Sequence, residues 1–122
     1  MELRAVVQVE PIRVEDLPAC PVETTLALIG NKWDVLILRD LMTRTMRFGE
    51  LQRSVGSISQ KVLTAQLRKM EANGLVHREV YAEVPPRVEY SLTELGRSLN
   101  PILDALRVWG EDYKELREAT QA

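Results

Sequence analysis

The stretch from Leu51 to Leu92 constrains this chain most, because two short helical patterns meet there at a glycine turn and then give way to a period of two. Leu51 and Val55 lie about one helical turn apart, and Gly56 ends that segment. Ser57 and Gln60 have the spacing of a capping box, after which Leu63, Leu67 and Met70 recur at i, i+4 and i+7. Asn73-Gly74 supplies a left-handed cap to this second helix. Beyond Leu75, Val76, Val80, Ala82 and Val84 alternate with His77, Glu79, Tyr81 and Glu83. After Pro85-Pro86, Val88, Tyr90 and Leu92 alternate with Arg87, Glu89 and Ser91, which predicts a β-hairpin turning at the prolines.

The flanks complete the pattern. Residues 1–19 alternate loosely and contain Pro11 and Pro18, which favours an extended arm, or a short edge strand, over a helix. Cys20 precedes Pro21, a residue suited to the first helical position, and Val22, Leu26 and Ile29 follow at helical spacing up to Gly30. Asn31 caps the next helix. Its apolar run from Trp33 to Met42 leaves Asp34, Arg39 and Asp40 for solvent, so it should be central and buried almost all round. Thr45 to Phe48 fits a brief strand ahead of Gly49. Thr93 caps a last helix reaching about Glu118, which Pro101 should kink or split. Two helices across a tight turn, followed by strand-turn-strand, is the order of a winged helix-turn-helix. The expected fold is mainly α with a small β-hairpin (α+β), divided into an arm (1–19), one domain (20–118) and a tail (119–122).

At 122 residues the chain holds one domain with a real core. No run approaches the roughly 18 apolar residues of a membrane helix, and the acidic N-terminus lacks the basic start of a secretory signal, so a cytoplasmic location is expected. A lone Cys20 and a lone His77 leave no disulfide scaffold and no metal cluster, and no cofactor motif is present. The net charge of −2 argues, as an average, against nucleic acid. By segment it divides into +5 over residues 31–70 and −7 over the rest.

The basic segment contains the second helix of the pair. With Leu63, Leu67 and Met70 facing inward, a step of 100° per residue puts Lys61, Ala65 and Arg68 on the opposite side, with Gln60 and Thr64 on one flank. Arg can grip guanine O6 and N7, Gln can pair with adenine, and Thr or Ala methyls can meet the thymine methyl. Glu71, the one acid of this helix, sits at its far end. Arg44, Arg47 and Arg53 are candidates for phosphate contacts that set register. Arg87 is the one cation at the hairpin tip, suited to phosphate or a narrow minor groove, or else to pairing with Glu83 or Glu89.

Leu92, Leu95, Leu99, Ile102, Leu106, Trp109, Tyr113 and Leu116 step alternately by three and four, a heptad pattern that predicts a dimer contact. Trp33 and Trp109 fit core or dimer-contact roles, and His77 a polar hairpin position.

Cys20-Pro-Val-Glu, Ile29-Gly-Asn-Lys-Trp33, Arg47-Phe-Gly-Glu-Leu51, Ile58-Ser-Gln-Lys-Val-Leu63, Asn73-Gly-Leu-Val-His-Arg-Glu79, Pro85-Pro-Arg-Val-Glu-Tyr-Ser-Leu-Thr93 and Trp109-Gly110 follow in an order that resembles the HxlR family of bacterial winged-helix regulators. The resemblance covers roughly residues 19–114. It implies a homodimer held by the terminal helices, binding double-stranded DNA at an inverted repeat, with the helix from Ser59 as recognition helix and the hairpin as wing. In some similar members a cysteine at the position of Cys20 senses quinones, aldehydes or other electrophiles and oxidants. A thiol at a helix N-terminus sees the dipole and free N–H groups that favour thiolate. With a single cysteine, a disulfide would have to join two subunits or capture a small thiol. A second reading, to which the net acidity points, is a winged-helix module that binds protein and not DNA. An enzyme has nothing to assemble a catalytic site from.

Overall fold

The computed structural model describes residues 9–121. The order of elements is a 3-10 turn at Val14–Asp16, then α1 (Pro21–Ile29), α2 (Lys32–Leu41), β1 (Met46–Arg47), α3 (Phe48–Val55), α4 (Gln60–Ala72), β2 (Val76–Tyr81), β3 (Arg87–Leu92), α5 (Glu94–Arg97) and α6 (Asn100–Gln121). β2 and β3 form the expected hairpin. The short β1 adds to its other side, giving an antiparallel sheet in the order β1-β3-β2 with Met46 opposite Tyr90 and Val76 opposite Leu92. Half of the arm's predicted alternation (Ala5, Val6 and Val7, as against Val9, Ile12 and Val14) lies outside the described residues. The remainder of the arm carries the 3-10 turn and no strand.

The core is a layer of helices closed by the base of the sheet. Ile37, Leu38 and Leu41 of α2 meet Leu51 and Val55 of α3 and Leu63, Leu67 and Met70 of α4, with Met46, Leu75, Val76 and Leu92 beneath. Each such large side chain taken from water contributes roughly 1.5–3 kcal/mol.

Several expectations change. The cap of α4 is Ser59, whose Oγ accepts the Val62 N–H at 3.1 Å, and not Ser57. Ile58 is buried as the apolar plug of the turn, so the helix cannot start until after it. Asp34 and Asp40, assigned to solvent, are buried. Asp34 completes a capping box with Asn31, and Asp40 accepts from Ser54 Oγ of α3 at 2.8 Å and from Arg39 Nε at 2.7 Å. The Asp40 bonds make its burial tolerable and tie α2 to α3, whereas Asp34 Oδ1 is buried without a hydrogen-bond partner among the described residues. Val22 and Leu26 are exposed, because only the last turn of α1 reaches the core through Leu28 and Ile29. In the hairpin, Val76 is buried but Val80, Ala82 and Val84 are exposed: the distal half extends past the helices it would pack on.

The last helix is split, as Pro101 required, into α5 and α6. Pro101 stands in the first turn of α6, where its missing N–H has no carbonyl to serve. This interrupts the heptad series. Leu92 closes β3 within the core, Leu95 belongs to α5, Leu99 packs on the domain's own core, and the run from Ile102 to Leu116 alone shares one helix. α6 also continues to Gln121, past the expected end.

Two glycines permit the turns. Gly56, at φ 110° and ψ −121°, takes a backbone open essentially to glycine alone between α3 and α4. Gly74, at φ 82°, closes α4, with the Leu75 N–H returning to the Met70 carbonyl at 2.9 Å and the Gly74 N–H to Glu71 at 3.1 Å.

Burial pushes the Asp34 carboxyl above the ordinary carboxylate range, against the opposing pull of Lys69 and the Asn31 N–H. The folded chain then holds that proton more tightly than the unfolded chain. Ionising Asp34 costs stability, and the cost develops as pH rises from the unfolded value through the raised folded one. Asp34→Asn keeps an acceptor for Asn31 and cannot ionise. Thermal unfolding should find it more stable than the parent at about pH 7 and the two converging near pH 4; a more stable parent at neutral pH contradicts this reading of the burial.

Candidate nucleic-acid interface

α4 is oriented by its apolar row. Leu63, Leu67 and Met70 are buried, and this rotation leaves Ser59, Gln60, Lys61, Ala65 and Arg68 exposed, with Thr64 half-buried at the edge. Gln60, Lys61, Thr64, Ala65 and Arg68 therefore share one side of one helix, whereas Ser59 precedes it as the N-cap and its Oγ is occupied by the Val62 N–H. Neither Lys61 nor Arg68 forms an ion pair with another described residue. Glu71 lies at the C-terminal end of α4, 3.6 Å from Arg78 of β2, so its charge is directed to the hairpin.

Ahead of α4, Arg44, Arg47 and Arg53 surround Glu50. Glu50 Oε1 accepts the Arg47 N–H at 2.8 Å and caps α3, and its Oε2 lies 3.7 Å from Arg44. The Arg47 N–H first, and then the three guanidinium groups, hold the Glu50 carboxyl below the usual carboxylate range. One acid thus anchors the start of α3 amid three cations, and the exposed side chains of Arg47 and Arg53 remain without an ion-pair partner among the described residues.

Arg87 is where the two expectations for the hairpin tip separate. Its Nη2 lies 2.8 Å from Glu83, its Nη1 lies 2.6 Å from Glu89, and its guanidinium carbon lies 3.8 Å from the centre of the Tyr81 ring. The pairing alternative holds, with both carboxylates taking part. The contact with Tyr81 follows from the length of the turn: the hairpin closes over residues 82–86, not over Pro85-Pro86 alone, and this sets Tyr81 directly opposite Arg87 where a turn confined to the prolines would place Val84. Beyond its place in the cap of α4, Asn73 accepts the Ile12 N–H on its Oδ1 at 3.0 Å, which ties the arm to the end of α4.

Cys20 is the exposed N-cap residue of α1. Its thiol forms no capping hydrogen bond, and Pro21 at the next position offers no N–H, so the local donors expected for it are fewer than a bare helix start provides. His77 is exposed on β2, 2.8 Å from Glu79. Trp33 packs against the core beneath Lys32, whereas Trp109 is exposed and stacked on Tyr113 at 5.4 Å. Among the described residues, no helix is long and apolar enough to cross a membrane.

A helix-turn-helix that displays the outer side of its second helix beside a three-stranded wing defines the winged helix-turn-helix class of DNA-binding transcriptional regulators. The chain belongs to the HxlR-like helix-turn-helix family, whose model matches residues 28–118. Among its relatives is an HTH-type transcriptional regulator of Bacillus subtilis strain 168, YdeP, 47% identical over 108 residues, which are 88% of this chain and 84% of that protein. Among solved structures, the redox regulator HypR in its oxidized form is 53% identical, covers 76% of this chain and 96% of its own, and superposes with a TM-score of 0.73. The reduced form of HypR is 49% identical, covers 82% and 99%, and gives 0.76.

Proposed function

We propose that this chain is a sequence-specific regulator that binds an inverted-repeat operator as a homodimer, one α4 entering the major groove at each half-site. The observation that carries the reading is the acid-free, exposed face of α4, on which Gln60, Lys61, Thr64, Ala65 and Arg68 stand together. Arg68 and Gln60 read base edges. Lys61, Arg47 and Arg53 hold phosphates, and Arg87 joins them when a phosphate displaces the loop carboxylate of Glu83. With about eight phosphates neutralised by a dimer, log affinity should fall against log salt with a slope near −7. Arg68→Ala should lose roughly ten-fold or more on the operator, about 1–3 kcal/mol, and far less on random duplex. Equal losses on both duplexes contradict the assigned role.

Support for the dimer comes from α6. Its 22 residues span roughly 33 Å, none of them is buried, and Ile102, Leu106, Trp109, Tyr113 and Leu116 form an apolar stripe along it. An exposed row of that size is covered in most soluble proteins, and a second copy of α6 supplies a matching row. Leu106→Glu with Leu116→Glu should convert the dimer to a folded monomer in sedimentation. An unchanged mass would remove α6 from the interface.

Support for sensing comes from Cys20, exposed on its helix start in a chain 53% identical to a protein named as a redox regulator. A thiolate here would add to a small electrophile, or be oxidised and trapped as a disulfide with a second subunit or a small thiol. Treatment with an electrophile or oxidant should change operator affinity in the parent and leave Cys20→Ala unaffected. The same response in Cys20→Ala excludes this cysteine as the sensor.

A further inference from the structure

We propose that Glu83 is a brake on DNA affinity: it occupies the one cation of the distal wing, Arg87, so that a phosphate must displace its carboxylate before the wing can bind. This deepens the reading of the chain as a DNA-binding protein and rests on it.

The geometry is that of a filled site. The Arg87 side chain is only 25% exposed, although it stands at the end of a hairpin that projects beyond the core. One carboxylate oxygen of Glu83 lies 2.8 Å from Nη2 and 3.3 Å from Nε, along the edge of the guanidinium that would otherwise grip a phosphate with two parallel bonds. Glu89 takes Nη1 at 2.6 Å, and the Tyr81 ring covers one face.

The two carboxylates are not equivalent. Glu89 sits within β3, in register with Arg47 on one side and Glu79 on the other, and its side chain is largely covered. Pairing with Arg87 offsets the repulsion of two glutamates set directly across the sheet. Glu83 lies in the loop past the end of β2, and its side chain is half exposed. It can therefore leave Arg87 without disturbing the ladder. Arg87 holds the Glu83 carboxyl below the usual carboxylate range, so the brake stays charged at neutral pH.

The charge balance gives the brake its effect. From Glu79 to Glu89 the wing carries Glu79, Glu83 and Glu89 against Arg87 alone, and the further cation acting on Glu83 through its charge is Arg47 of β1, in register with Glu89. Non-specific binding rests almost wholly on backbone electrostatics, so it is the binding mode most weakened by an occupied Arg87. At an operator the base contacts of α4 hold the duplex in place while Glu83 swings aside.

The full chain, Glu83→Gln, Arg87→Gln and the double variant are titrated with a random-sequence duplex over a range of salt. Glu83→Gln should bind about five-fold or more tightly at low salt and steepen the salt slope by about 1–2 for a dimer, the signature of newly engaged phosphates. The gain should vanish in the double variant, which should match Arg87→Gln. An unchanged or weaker affinity in Glu83→Gln overturns the proposal and assigns Glu83 to holding the wing in shape. A gain of equal size in the Arg87→Gln background overturns it as well, because Glu83 then acts by repulsion alone. In both cases duplex binding by the parent leaves the reading of α4 standing. If neither the parent nor Glu83→Gln binds duplex, both fail.

Discussion

The packing of one row of α4 onto α2 and α3 is the contact on which the rest of the molecule depends. Leu63, Leu67 and Met70 are sealed against Ile37, Leu38, Leu41, Leu51 and Val55, and a helix has a single rotation that buries such a row. Once that rotation is set, the positions of Lys61, Ala65 and Arg68 follow from 100° per residue. The functional face is thus a by-product of the core. Gly56 and Ile58 fix the second coordinate, the angle at which α4 leaves α3: the glycine by a backbone other residues rarely take, the isoleucine by plugging the turn.

Electrostatics divides the same scaffold. The segment from Asn31 to Met70 carries +5, and within it the acids are occupied: Asp34 and Glu50 in helix caps, Asp40 by Arg39 and Ser54. The cations of α4 are not so occupied by any described residue. In the wing the situation is reversed, for there the acids outnumber the single distal arginine and enclose it. A net charge of −2 conceals both arrangements, and only their placement makes a weakly acidic protein suited to a polyanion.

Local signals were legible in the sequence where one element determines the answer. The helices, the Asn73-Gly74 cap, the hairpin and the split near Pro101 each follow from residues a few positions apart, and so does the face of α4. What was not legible depends on contacts between elements. Asp40 reads as a solvent residue until Ser54 arrives from α3. Val80 and Val84 read as inward until the hairpin proves longer than the helices beneath it. The heptad series runs unbroken from Leu92 to Leu116 in the sequence, but it passes through a strand end, a short helix and a break before it reaches α6. Periodicity reports what a residue could face, and the tertiary structure decides whether anything is there.

The central claim is that the outer face of α4 meets DNA. Backbone amide resonances followed during titration with duplex at low ionic strength test it directly, residue by residue. The largest changes should fall on Ser59 to Arg68, with a second group over Ala82 to Arg87 of the wing, while α1 and the middle of α6 remain nearly unmoved. Changes concentrated on α1 or α6 with α4 silent would contradict the account.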